Sequence, residues 1–120
     1  MLIRDLRDCE QFVAGDNTIL RELLHPDKAN VDLRYSLAHA LVKPGDISLP
    51  HRLKTSEVYY ILQGTGQMFI DNETAEVRTG QAVYIPPHAV QRIQNTGDVD
   101  LEFLCIVDPP WRAEDEEVLQ

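Results

Sequence analysis

The chain is 120 residues long, which fits one domain with room for a single sizeable core. Its content, 43% hydrophobic and 26% charged, is ordinary for a globular protein. A formal net charge of −9 argues against nucleic acid and anionic membrane surfaces as partners.

Residues 1–14 are the one stretch with a helical pattern. Leu2, Ile3, Leu6, Cys9, Phe12 and Val13 recur at spacings of three and four and form one apolar stripe. The pattern is open to a short helix or to an arm packed on the main body, and Gly15-Asp16-Asn17 ends it. Residues 18–25 suit helix or strand by composition; the strand-rich pattern downstream favours strand. Pro26-Asp27-Lys28 then turns the chain. Residues 33–42 read as a strand rich in small side chains. It ends at Lys43-Pro44-Gly45-Asp46, where proline pre-sets φ and glycine accepts a positive one. Further strands are expected at residues 47–53, 58–62, 67–70, 76–78, 83–85, 90–94 and 101–107, each bounded by glycine, proline, asparagine or aspartate. Glu114, Asp115, Glu116 and Glu117 form an acidic run, expected to be a solvated tail.

Short strands with turn signals every ~8–12 residues, and no interval long enough for a crossover helix, predict an all-β sandwich or barrel with antiparallel sheets. The expected division is an N-terminal arm (1–32), a β-barrel (33–110) and an acidic C-terminal tail (111–120). Cys9 and Cys105 are far apart and lack a CxxC spacing, and Cys105 lies in the apolar run Leu104-Cys105-Ile106-Val107, as a core thiol does. Residues 1–7 have no apolar segment of the signal-peptide kind, and no apolar run approaches the ~20 residues of a membrane-spanning helix. A cytoplasmic, reducing location is the expectation.

The chemistry concentrates in residues 45–64. His51 and Glu57 stand six apart, framed by glycines, and Glu57 leads directly into Val58, Tyr59, Tyr60, Ile61 and Leu62. A carboxylate at the head of a buried strand is costly unless it faces solvent or meets a partner inside. The block Gly45-x5-His51-x-Leu53-x3-Glu57-x6-Gly64 resembles the first motif of the cupin family, and Gly80-x5-Pro86-x-His88-x2-Gln91-x3-Asn95 resembles the second. The resemblance runs from Leu33 to about Val107. It implies a double-stranded β-helix of the jelly-roll type, similar to small single-domain cupins called sugar-phosphate-isomerase-like, often dimeric.

The resemblance also implies a metal site. His51 and Glu57 occupy two ligand positions of the first motif, Leu53 replaces a histidine there, and Gln91 replaces the histidine of the second. An imidazole, a carboxylate and an amide oxygen suit a divalent transition metal such as Zn, Mn, Ni or Fe and leave open positions for substrate. The other outcome is a pocket without metal, in which His51, Glu57 and Gln91 hydrogen-bond each other or a ligand. His88 sits on the turn where the family has a glycine. A tight turn at Pro44-Gly45 would set Ala38 opposite His51 and point His39 away from the site.

Alternation sketches the rest. Glu57 inward brings Tyr59 and Ile61 inward, with Tyr59 a candidate for proton handling beside Glu57. Ala38 and Ala40 leave room for a small molecule. Tyr60, Phe69 and Tyr84 face outward, which suggests a homodimer. Arg52 and Arg92 lie off the inward parity, against a phosphate grip, and no second inward carboxylate can be placed. Motifs for serine hydrolases, nucleotide binding and zinc proteases are absent.

Two functions are expected. One is a cupin that binds a divalent metal and a small polar metabolite, acting as an isomerase, epimerase or lyase on a sugar-derived substrate, with Glu57 and Tyr59 moving a proton. The other is a non-catalytic binding or sensing module with a degenerate metal site. An iron-dependent dioxygenase ranks last, because it needs a fuller histidine set.

Overall fold

The computed structural model describes residues 1–119. A short 3-10 turn (Leu6–Asp8) is followed by the strands β1 (Gln11–Val13), β2 (Ile19–Leu24), β3 (Ser36–Val42), β4 (His51–Leu53), β5 (Ser56–Gln63), β6 (Thr65–Ile70), β7 (Glu73–Arg78), β8 (Ala82–Ile85), β9 (Gln91–Asn95) and β10 (Leu101–Asp108). A second 3-10 turn (Ala113–Asp115) leads to β11 (Glu116–Val118). One sheet has the order β1-β2-β3-β10-β5-β8 and the other β11-β4-β9-β6-β7. Every pairing is antiparallel, and the two sheets close on one another as the expected double-stranded β-helix. Among the described residues no helix is long and apolar enough to cross a membrane.

Period-two alternation builds the interior. On β10 Leu101, Phe103, Cys105 and Val107 are buried, and on β5 Tyr59 and Ile61 join them. Ile93 and Met68 face these from the other sheet. The same parity buries four polar side chains, His51, Glu57, Gln91 and Asn95. Asn95 is structural: its Nδ2 donates to the carbonyls of Val42 (2.9 Å) and Val99 (2.8 Å), and its Oδ1 accepts from the Gly97 amide. Gly66 must be glycine, because a Cβ there would lie 2.7 Å from the Gln94 carbonyl oxygen of the neighbouring β9.

One open alternative is decided and two expectations are corrected. Residues 1–14 form no α-helix. Asp5 caps the 3-10 turn by accepting from the Arg7 amide, and Gln11–Val13 then pairs with β2. The open edge of β2 offers hydrogen bonds that outweigh a weak helical preference. Pro44-Gly45 does not fold β3 onto β4. The turn closes locally through the Asp46 amide and the Lys43 carbonyl (3.0 Å), and the chain then crosses to the other sheet. There Ile47 bridges Gln94 and His51 pairs with Gln91, while β3 lies between β2 and β10. The acidic run is not splayed into solvent either. Glu116, Glu117 and Val118 pair with Leu53, Arg52 and His51, and Leu119 donates its amide to the Pro50 carbonyl at 2.8 Å; Gln120 lies outside the described residues.

Candidate functional site

A cavity of about 260 Å³ opens between the sheets. His51 and Leu53 of β4, Glu57 and Tyr59 of β5, and Cys105 of β10 line it, while Gln91 of β9 is fully buried behind them. Strand register explains the convergence. His51 and Gln91 are cross-strand partners in one sheet, and Tyr59 and Cys105 are partners in the other.

The hydrogen bonds run in one direction. Tyr59 donates its hydroxyl to Gln91 Oε1 at 2.8 Å, and Gln91 Nε2 donates to Glu57 Oε1 at 2.9 Å. Glu57 Oε2 is left for whatever enters the cavity. Burial lifts the Glu57 carboxyl to about 8; the Gln91 amide opposes the rise, and the carboxylates of Asp16 and Glu116 add to it. Glu57 is therefore mostly protonated at neutral pH. Burial also pushes the Tyr59 hydroxyl and the Cys105 thiol upward, with Glu57 contributing to both.

Sequence reasoning missed the other half of the site. His51 Nδ1 lies 2.8 Å from the Leu49 carbonyl, which can only accept, so Nδ1 carries the proton and donates. Nε2 then faces Asp16 Oδ2 at 3.4 Å. Asp16 is buried, and its Oδ1 accepts from the Thr18 amide (3.1 Å) and hydroxyl (2.7 Å). Glu22, Lys28, Trp111 and Glu116 also line the cavity. The second inward carboxylate that the sequence could not place is thus Asp16, with Glu22 and Glu116 the third and fourth acidic side chains on the cavity. Asp16 reads as part of the Gly15-Asp16-Asn17 turn, and Glu116 as part of a charge run, so neither gave a signal. His39 points away from the cavity as expected and lies 2.9 Å from Glu102 Oε1. His88 is exposed on its turn, in the left-handed region at φ 69°, where glycine is at ease.

The donors His51, Glu57 and Gln91 do not fit a divalent metal as they stand. The Gln91 oxygen already accepts from Tyr59, its amide nitrogen caps Glu57, and the one free imidazole nitrogen faces Asp16. Leu53 adds an apolar wall where a further ligand would stand. Among the described residues no group of three or more His, Cys, Asp or Glu is placed to hold a metal ion.

The Cupin domain family profile matches residues 38–107. An uncharacterized protein of Methanocaldococcus jannaschii is 44% identical over 110 residues, covering 91% of this chain and 87% of its own length. The alginate biosynthesis protein AlgA of Pseudomonas aeruginosa is 30% identical over 91 residues; these cover 75% of this chain but only 19% of AlgA. Among solved structures, Streptomyces PAC13 with uridine superposes with a TM-score of 0.81 at 16% identity, covering 100% of this chain and 91% of that one.

Proposed function

The chain belongs to the cupin domain family, and from that premise we propose that it binds a small polar metabolite in the barrel and moves a proton on it, as an isomerase, epimerase or lyase. The observation that carries this is Glu57: a buried carboxyl, raised to about 8, that is fixed by Gln91 and turned to a cavity. A group with that affinity for protons gives and takes one near neutral pH, as general acid–base catalysis requires. Tyr59 positions Gln91, and Gln91 positions Glu57. His51, held by Leu49 and Asp16, supplies a second proton-carrying group in the same cavity. None of these roles requires a metal. A sugar-derived substrate accords with the alginate biosynthesis relative. The free, buried cysteines Cys9 and Cys105 accord with a cytoplasmic location, and the exposed side chains of Tyr60, Leu62 and Tyr84 with a homodimer.

The second reading is a binding or sensing module without turnover. The closed chain from Tyr59 through Gln91 to Glu57 favours it, because a satisfied network also stabilises an empty pocket. Incubation with a metabolite library in D2O separates the two. Catalysis predicts deuterium incorporation that chelator leaves intact and Glu57→Gln abolishes. Ligand-induced thermal stabilisation with no incorporation selects the sensing module. Incorporation that chelator abolishes and added metal restores would return His51, Glu57 and Gln91 to the role of metal ligands.

A further inference from the structure

We propose that the cavity takes an uncharged, hydroxyl-rich ring, seated with one face on Trp111 and its hydroxyls donating to the surrounding carboxylates, and that it turns away phosphate esters. This rests on the ligand-binding reading above and names the class of ligand.

Asp16, Glu22 and Glu116 line the cavity as carboxylates, beside the largely protonated Glu57, against only Lys28 and His51. Each base already faces an acid: Lys28 Nζ lies 2.7 Å from Glu22 Oε1, and His51 Nε2 3.4 Å from Asp16 Oδ2. No arginine lines the wall. Arg52 is paired with Glu117 outside the barrel, and Arg92 stacks over Phe69 at 4.6 Å. A phosphate would lose its hydration to enter a site with surplus carboxylate and no free cation. The upward push that Asp16 and Glu116 exert on Glu57 reports the same negative field. A hydroxyl meets the opposite condition, since a carboxylate that already accepts one hydrogen bond keeps further lone pairs to which a hydroxyl can donate.

The aromatic wall is the second observation. Trp111 is tied at three points. Its indole N–H donates to Glu116 Oε1 at 2.9 Å, its backbone N–H donates to Ser36 Oγ at 3.0 Å, and its carbonyl lies 2.7 Å from His25 Nε2. At 38% exposure it stands at the rim, with a carboxylate beside it. An apolar ring flanked by acceptors suits the alternating apolar and hydroxyl surfaces of a saturated ring compound, and its fixed position lowers the entropy lost on binding. The volume of about 260 Å³ lies just below the roughly 300–1,000 Å³ of drug-sized pockets, which matches a single ring.

Trp111 is the single tryptophan, so intrinsic fluorescence reports the rim directly. The full chain is titrated with matched pairs: D-mannose, D-glucose and D-ribose, each against its terminal monophosphate. The neutral member of at least one pair is expected to give a saturable change, with its phosphate bound at least tenfold more weakly, and Glu116→Lys should narrow that gap. A phosphate that binds as tightly as its neutral partner overturns the proposal, and so does the lack of a saturable change with all six. The wild-type titration decides this even if the lysine variant fails to fold. Phosphates that bind and exchange deuterium would sink only the ligand class; neutral rings that bind without exchange would sink only the proton-transfer reading.

Discussion

Replacing Glu57 with glutamine swaps a titrating carboxyl for a neutral amide of nearly the same shape, whose oxygen can still accept from Gln91 Nε2. In the folded protein the carboxyl is raised from its ordinary 4.5 to about 8. The folded state therefore holds a proton that the unfolded chain releases, and stability from this group falls as pH rises from about 4.5 to about 8. At about 1.4 kcal/mol per pH unit, the gap from 4.5 to 8 comes to about 5 kcal/mol. No discount for solvent screening applies, because Glu57 is only 7% exposed. The glutamine variant lacks this loss. Urea unfolding of both proteins at pH 5, 6, 7, 8 and 9 should give curves that diverge with pH, the variant gaining about 4 kcal/mol on wild type between pH 5 and 9. Titrating groups remote from Glu57 are shared and cancel in the difference. Parallel curves would refute the reasoning, since they would mean that Glu57 ionises in the fold as easily as in the unfolded chain.

Asn95→Ala should cost about 3 kcal/mol in urea unfolding, because two carbonyls lose their donor and the Gly97 amide its acceptor; a loss under about 1 kcal/mol would mean that water replaces the amide. Elemental analysis of untagged protein purified without chelator should find metal well below one equivalent, with no change in Tm on chelation. Stoichiometric metal that disappears in His51→Ala would show that the hydrogen-bonded arrangement rearranges around an ion. Sedimentation should find a dimer that Tyr84→Arg converts to monomer, since Tyr84 is 62% exposed next to Tyr60 and Leu62 on one face. A monomeric wild type would remove that interface.

Much of the barrel was legible because its strands alternate in register with their burial. Glu57, Tyr59 and Ile61 announce an inward face on β5, and Leu101, Phe103, Cys105 and Val107 do so on β10. Turns were legible as turns and not as destinations. Pro44-Gly45 specifies local φ values, while the sheet that β4 joins depends on which edge is open once β9 is in place. The N-terminal stripe fails for a related reason: spacings of three and four fit a helix, yet Gln11–Val13 is captured by an edge that lies outside any local window. At the site, the group with motif spacing was visible and its bonding was not. His51, Glu57 and Gln91 were read either as ligands of an ion or as hydrogen-bonding one another or a ligand, and what spacing could not show is that the amide of Gln91 joins Glu57 to Tyr59. The acidic run hid a strand because its charges mask the alternation: Glu117 pairs outward with Arg52, while Glu116 turns in to Trp111.

The meeting of the two chain ends over the cavity has a consequence for how such proteins diversify. Residues 38–107 match the family profile and carry His51, Glu57, Tyr59 and Gln91. Asp16, Trp111 and Glu116 lie outside that span, on the turn before β2, on the segment leading into β11 and at the start of β11, and a Cβ at Gly15 would sit 3.4 Å from Glu116 Oε2. On the proposed reading the proton-handling group belongs to the barrel, while the side chains that would choose the guest lie on two flanking ribbons tied to it by the β1–β2 and β11–β4 pairings. Exchanging those ribbons between relatives is expected to change selectivity and, through Asp16 and Glu116, the setting of His51 and Glu57 as well.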